Sequence, residues 1–129
     1  MTIYMWIATV AWLCLISGYL ARKKRSLHVT LMRTGIFLDI GLVLYLQFTR
    51  GAIQTALSFE LALLKQLHIA ASTIALLLYF PILYLGFQLL KGRGTAETRA
   101  LHIKVGTTAL FFRTLGFLLM FSMWKSGVP

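Results

Sequence analysis

The sequence predicts an all-α integral membrane protein, an up-and-down bundle of four transmembrane helices in a single domain of residues 1–129. Three observations support this fold class. The chain is 59% hydrophobic with a mean hydropathy of +0.81, above the apolar share of an ordinary soluble domain. It contains four apolar runs, each long enough to cross a hydrocarbon layer of about 30 Å. Its thirteen Lys and Arg residues lie mostly in short clusters between those runs, as in membrane proteins with positive cytoplasmic loops.

The first apolar run covers residues 3–20. No basic residue precedes it and four consecutive basic residues, 22–25, follow it, which predicts a retained helix rather than a cleaved signal peptide. The second run, 28–48, carries Arg33 and Asp39 inside otherwise apolar sequence.

Residues 52–65 place several leucines on one helical face, so we expect a short amphipathic helix in the outer interface or an extension beyond it. The third run covers residues 67–90, and Pro81 in its middle favours a kink that neighbouring helices can compensate. The fourth run covers residues 101–124.

The distribution of basic residues predicts the orientation. Eight lie in the first and third loops or at their borders, and three lie in the second loop and the tail: Arg22, Lys23, Lys24, Arg25, Lys91, Arg93, Arg99 and Lys104, against Arg50, Lys65 and Lys125. Because positive loops stay in the cytoplasm, we expect both termini outside, in a bacterial inner (cytoplasmic) membrane. Positive loops of a protein in the lipid bilayer therefore account for the net charge of +10, and nucleic-acid binding is disfavoured.

A weak internal repeat relates the second and fourth runs. Leu27-His28-Val29 recurs as Leu101-His102-Ile103, and a charged residue follows each histidine by eleven positions, Asp39 and Arg113. Eleven residues make three turns plus roughly 20°, so each histidine shares a helix face with its charge. The pattern predicts two parallel hairpin repeats in which the second and fourth helices face each other diagonally. Asp39 and Arg113 would then lie at one depth, about 16 Å further in than the histidines.

Two imidazoles at one depth, approaching from opposite sides, suit the axial ligands of a haem iron. We therefore predict that His28 and His102 bind haem b, as in a cytochrome b-like electron carrier. Gly35 and Gly106 would let the backbone approach the macrocycle; equally, small residues let membrane helices pack closely. The competing interpretation of the histidines is that each is a residue of the membrane interface.

The charged residues have alternative roles. Arg33 and Lys104 lie at a level suited to haem propionates, although Arg33 also suits a side chain that reaches lipid phosphates. Asp39 and Arg113 are predicted to form a buried structural ion pair, because losing either partner leaves an unpaired charge in low dielectric. A proton relay is the alternative.

His68 opens the third run and should lie near the outer face. A second haem or a copper ion there, with a thioether from Met5, Met120 or Met123, is disfavoured against an interfacial or quinone-contacting histidine. The chain lacks paired carboxylates, a Ser/His/Asp arrangement, a phosphate loop and CxxC, which argues against a hydrolase.

Several short motifs between residues 24 and 124 occur in a recognisable order: His28-x-x-Leu31-Met32, Leu44-Tyr45-Leu46, Leu67-His68-Ile69, Leu77 to Pro81, Gly86 and Gly92, His102, and Thr114-Leu115-Gly116. This order resembles the CtaM/YozB-like family, small four-helix membrane proteins linked to maturation of haem–copper terminal oxidases. The resemblance implies that His28, His68 and His102 occupy family histidine positions, and that the role is haem handling or oxidase assembly rather than enzymatic turnover. A further family histidine after Tyr45 is absent here, which weakens the case for an outer metal site.

Three functions remain open from the sequence. The first is a haem-binding protein of electron transfer or oxidase assembly, with a quinone or a respiratory membrane complex as partner. The second is a non-catalytic accessory subunit of a larger membrane complex, as a homo- or hetero-oligomer. The third and weakest is a small transporter or channel that uses Asp39 and Arg113.

Overall fold

Four long helices form the described part of the chain in the computed structural model: α1 (Ile3–Leu20), α2 (Arg25–Arg50), α3 (Leu63–Leu90) and α4 (Ala96–Lys125). The structure describes residues 3–51, 54 and 63–125, without the side chains of residues 50 and 122–125. Each helix is long and apolar enough to cross a membrane. The all-α prediction is confirmed for these residues.

The helix bounds agree with the sequence prediction for α1 and differ at the starts of the other three helices. α2 begins at residue 25 rather than 28, and α3 begins at residue 63 rather than 67, so α3 includes residues 63–65 of the expected interfacial segment. The rest of that segment, apart from residue 54, lies outside the described residues.

α4 begins at Ala96, five residues before the predicted start, because a polar cap precedes its apolar run. The backbone N–H of Thr98 donates to Thr95 Oγ1 and that of Thr95 donates to Thr98 Oγ1, both at 3.2 Å. This reciprocal pair resembles a capping box and satisfies N–H groups that a helix start leaves unpaired.

A glycine turn ends α3. Gly92 has φ 72°, its N–H donates to the Leu89 carbonyl at 3.2 Å, and the Arg93 N–H donates to the Gln88 carbonyl at 3.0 Å. This is the Schellman arrangement, in which a left-handed residue closes the last turn. It lets the chain reverse into α4 over a short connection.

The helices pack as two hairpins. α1 packs mainly against α2 and α3 mainly against α4, whereas the contacts between hairpins, α1 with α4 and α2 with α3, are fewer. The loops of residues 21–24 and 91–95 are short, so each hairpin is antiparallel. α2 and α4 consequently run in the same direction on opposite sides of the core.

The outer surface of the bundle is strongly apolar. Large side chains in the middle of α2, α3 and α4 are 60% or more exposed: Phe37, Leu77, Phe80, Phe111 and Leu118. Soluble domains rarely expose apolar surface on this scale. The helices and their exposed faces together indicate a membrane protein.

Candidate functional site

The ion pair predicted between α2 and α4 lies at the centre of the bundle. Asp39 is 8% exposed and Arg113 is 7% exposed. Arg113 Nε donates to Asp39 Oδ2 at 2.8 Å, and Arg113 Nη2 donates to Asp39 Oδ1 at 3.1 Å. The structure thus brings the two residues together in the two-pronged geometry that makes arginine–carboxylate pairs strong.

The other two helices complete this arrangement. The hydroxyl of Tyr79 on α3 donates to Asp39 Oδ2, and Arg113 Nη2 also donates to the Ala8 carbonyl oxygen on α1 at 2.8 Å. We call these four groups the central network. Each helix contributes one member, so the network links both hairpins through one buried charge pair.

The central network has a structural consequence. Both oxygens of Asp39 accept hydrogen bonds, and its negative charge is matched by the Arg113 charge in the same low-dielectric interior. Breaking such a pair from one side leaves a buried uncompensated charge, which is strongly destabilising. The geometry therefore favours the ion-pair interpretation of these residues over a proton relay.

The two histidines of the repeat also meet across the bundle. The ring centroids of His28 on α2 and His102 on α4 are 6.5 Å apart and their planes are inclined by 80°. His28 Nδ1 lies 2.8 Å from the Gly18 carbonyl oxygen on α1. Because a carbonyl can only accept, this bond places the proton on Nδ1 and leaves the Nε2 lone pair available.

His102 carries an unsatisfied polar atom. Its Nδ1 is buried and has no hydrogen-bond partner among the described residues. The ring lies beside Gly86 of α3, where an added Cβ would be 3.4 Å from His102 Cε1. Buried polar atoms are nearly always hydrogen-bonded, so this nitrogen has room for a partner that the described residues do not supply.

The distance between the two imidazoles can be compared with that expected for two imidazole ligands of one metal ion. Metal–imidazole bonds are about 2.0–2.1 Å long, so two imidazoles on opposite sides of one ion have centroids roughly 6 Å apart. No group of three or more His, Cys, Asp or Glu side chains that could hold a metal ion occurs within the described residues. Two ligands alone suit a cofactor that brings its own equatorial ligands, as haem does.

The macrocycle would have to lie between the hairpins, since His28 belongs to one hairpin and His102 to the other. The contacts between the hairpins are fewer than those within them. A haem held by both histidines would therefore contact both hairpins.

The structure also describes the other residues predicted for the cofactor. A Cβ at Gly35 would be 2.8 Å from Leu15 Cδ2 and 3.0 Å from the Ala11 carbonyl oxygen of α1, so close helix packing accounts for this glycine. A Cβ added at Gly106 would lie 4.0 Å from Cδ1 of Ile82 on α3. Arg33 and Lys104 are both exposed on the bundle surface.

His68 lies within the second hairpin, apart from the histidine pair. Its Nδ1 is 2.7 Å from the Gly116 carbonyl oxygen of α4. The helices are very close here, since a Cβ at Gly116 would lie 2.7 Å from Ser72 Oγ. Met5 and Met120, considered as thioether ligands, are buried together in an apolar cluster with Ala8 and Phe117. The side chain of Met123 lies outside the described residues.

No protein-family model, curated protein or solved structure matches this chain. The resemblance to the CtaM/YozB-like family thus stays a prediction from short motifs.

The sequence did not predict two residues that join the helices, Tyr79 and Trp12. Tyr79 lies within the third apolar run, and the only indication of its role is that a buried hydroxyl needs a hydrogen-bond partner. Trp12 stacks on Phe117, with centroids 4.4 Å apart and planes within 4°, and its Nε1 donates to Thr114 Oγ1 at 3.0 Å. It is a contact between α1 and α4, and nothing in the spacing of α1 singles it out.

Proposed function

We propose that this chain is an integral membrane protein that binds one haem b between His28 and His102 and acts in electron transfer or in the assembly of haem proteins such as terminal oxidases. One observation carries the proposal. Two imidazoles from different hairpins lie with their ring centroids 6.5 Å apart, one with its Nδ1 bonded to a carbonyl and the other with its Nδ1 unpaired among the described residues.

The membrane placement is supported by the four apolar helices and their exposed apolar faces. The short loops at residues 21–24 and 91–95 are at the same end of the bundle as the histidines, and together with the helix residues that border them they carry eight of the thirteen Lys and Arg residues. By the positive-inside rule this end lies in the cytoplasm, with both termini outside and the bacterial inner membrane as the location.

His28 and His102 would hold the haem as axial ligands. When bound, haem supplies one-electron redox chemistry at its iron. The hydrogen bond to the Gly18 carbonyl would fix the orientation of the His28 ring, as outer partners commonly do for metal-binding histidines. Arg33 and Lys104 remain the proposed partners of the propionates. The central network holds the two hairpins together about 16 Å deeper, by helical rise from His28 to Asp39.

Absorbance spectroscopy tests the proposal. The purified protein, as isolated or after addition of haem, should show a Soret band and the reduced bands of a six-coordinate b-type haem. His28→Ala and His102→Ala should each weaken haem binding on the order of 100-fold or more, since even the loss of an outer partner costs 10- to 100-fold.

His68→Ala is the matched control. His68 also bonds a carbonyl of its own hairpin through Nδ1, so its loss perturbs packing comparably while leaving the histidine pair intact. The variant should retain the spectrum, and circular dichroism should show that all three variants are folded. A wild-type protein that stays colourless with added haem contradicts the proposal, as does a haem loss that is equal in all three variants.

An accessory, non-catalytic subunit is the second candidate, favoured by the central network. That network joins all four helices and gives both oxygens of Asp39 a hydrogen-bond donor, which is what a structural clamp requires. A colourless protein that co-purifies with a larger membrane complex would support it. The transporter or channel alternative needs Asp39 and Arg113 to exchange ions, and their mutual pairing makes it the weakest.

A further inference from the structure

A groove runs along the outside of α3 towards the loop of residues 91–95. It has a volume of about 290 Å³ and is lined by Leu83, Tyr84, Phe87, Gln88, Lys91 and Arg93. We call it the α3 groove. Its aromatic side chains are well exposed, Tyr84 by 64% and Phe87 by 48%.

Two cations lie at one end of the α3 groove. Lys91 Nζ lies 4.8 Å from the centroid of the Phe87 ring, within the range of a cation–π contact. The left-handed turn at Gly92 brings Arg93 back to the groove, and the Arg93 N–H bonds the Gln88 carbonyl. None of the six lining residues is acidic, so the lining itself carries a charge of +2 at this end.

The polarity of the groove changes along its length. From Leu83 to Lys91 the helix rises about 12 Å, from an aliphatic side chain through an aromatic ring to an ammonium group. In the proposed membrane placement, this sequence of surfaces matches the acyl chain, the glycerol region and the phosphate of one lipid. Basic pockets at the cytoplasmic side of membrane helices bind anionic headgroups in this way.

We propose that the α3 groove binds one anionic phospholipid, with its acyl chain against Leu83 and Tyr84 and its phosphate at Lys91 and Arg93. The proposal requires the membrane placement but not the haem. It is therefore testable in His28→Ala, where haem binding is lost and lipid binding should persist.

A second depression at the same end of the bundle provides a matched comparison. It is lined by Ser17, Leu20, Ala21, Lys23, Lys24 and Leu27, with a volume of about 390 Å³. It also carries two cations, but none of its lining residues is aromatic. Removing Lys23 and Lys24 lowers the net charge as much as removing Lys91 and Arg93, while leaving the α3 groove unchanged.

Native mass spectrometry of the detergent-purified full chain tests the site, with phosphatidylglycerol and phosphatidylcholine of identical acyl chains as probes. The wild type should retain one phosphatidylglycerol in preference to phosphatidylcholine. The double variant Lys91→Gln/Arg93→Gln should bind phosphatidylglycerol about 30-fold more weakly, whereas Lys23→Gln/Lys24→Gln should bind nearly as the wild type does.

Inorganic phosphate in excess should not displace the lipid, because the groove also contacts the acyl chain. Three results would overturn the proposal: equal affinity for the two lipids, equal losses in the two double variants, and displacement by free phosphate. Circular dichroism of both variants confirms folding before the comparison is made.

Discussion

Replacing Asp39 with asparagine removes one charge from the central network while changing its shape very little. The amide oxygen of the new side chain can still accept from Tyr79, but Arg113, 7% exposed, keeps its positive charge without a carboxylate to balance it. Breaking a buried ion pair from one side costs about 3–5 kcal/mol. We expect Asp39→Asn to lower the free energy of unfolding by that amount.

A triple variant separates the net contribution of the ion pair to stability from the cost of leaving one of its charges buried and unpaired. In Asp39→Leu/Arg113→Met/Tyr79→Phe all three side chains become apolar and none of them leaves an unpaired donor. Apolar replacement of a whole buried pair is often neutral or stabilising, so the triple variant should be at least about 2 kcal/mol more stable than Asp39→Asn. Titration with dodecyl sulfate in mixed micelles, followed by circular dichroism, measures both.

Two results would refute this reasoning. A loss below about 1 kcal/mol in Asp39→Asn would mean that unpaired Arg113 reaches water or lipid phosphate instead of remaining buried. A triple variant as unstable as Asp39→Asn would mean that the polar groups stabilise the bundle by more than the charge balance between them.

Two further predictions use the same unfolding assay. Gly35→Ala should destabilise the chain by about 1–3 kcal/mol, because the new Cβ would lie 2.8 Å from Leu15. The control Gly41→Ala, whose new Cβ would have nothing within 4 Å, should instead be neutral or stabilising by up to about 1 kcal/mol. Equal effects of the two substitutions would contradict the packing role of Gly35. Trp12→Phe and Thr114→Val should each cost about 0.5–1.5 kcal/mol through their shared hydrogen bond, and a double-mutant cycle without coupling energy would show that the bond contributes nothing.

The sequence predicted which side chains pair across the core, but not the groups on other helices that contact them. His28 with His102 and Asp39 with Arg113 were paired by equal spacing on parallel helices, and the structure places both pairs together. Spacing measures depth along a helix, which depends only on the rise per residue. The Gly18 carbonyl, which orients His28, could not be predicted in this way because it belongs to a helix that runs in the opposite direction.

The start of α4 was also not predictable from the apolar run alone. The predicted start, residue 101, was too late because the apolar run was taken as the whole helix, whereas the reciprocal Thr95–Thr98 hydrogen bonds begin the helix in polar sequence. The function of the glycines was also left open by the sequence. Only the distance from Gly35 to α1 indicates that this glycine serves helix packing.

The sequence alone predicted the helical class, the four apolar runs and the depth of each buried charge, because hydropathy and helical rise are properties of the chain alone. It did not determine how each helix is rotated about its axis. α1 and α3 are apolar on nearly every face, so their hydrophobic pattern does not specify which side faces the core. The tertiary structure decided that rotation through close packing at small residues and through the polar partners of Asp39, which is why Tyr79, Ala8 and Trp12 became visible only in the folded bundle.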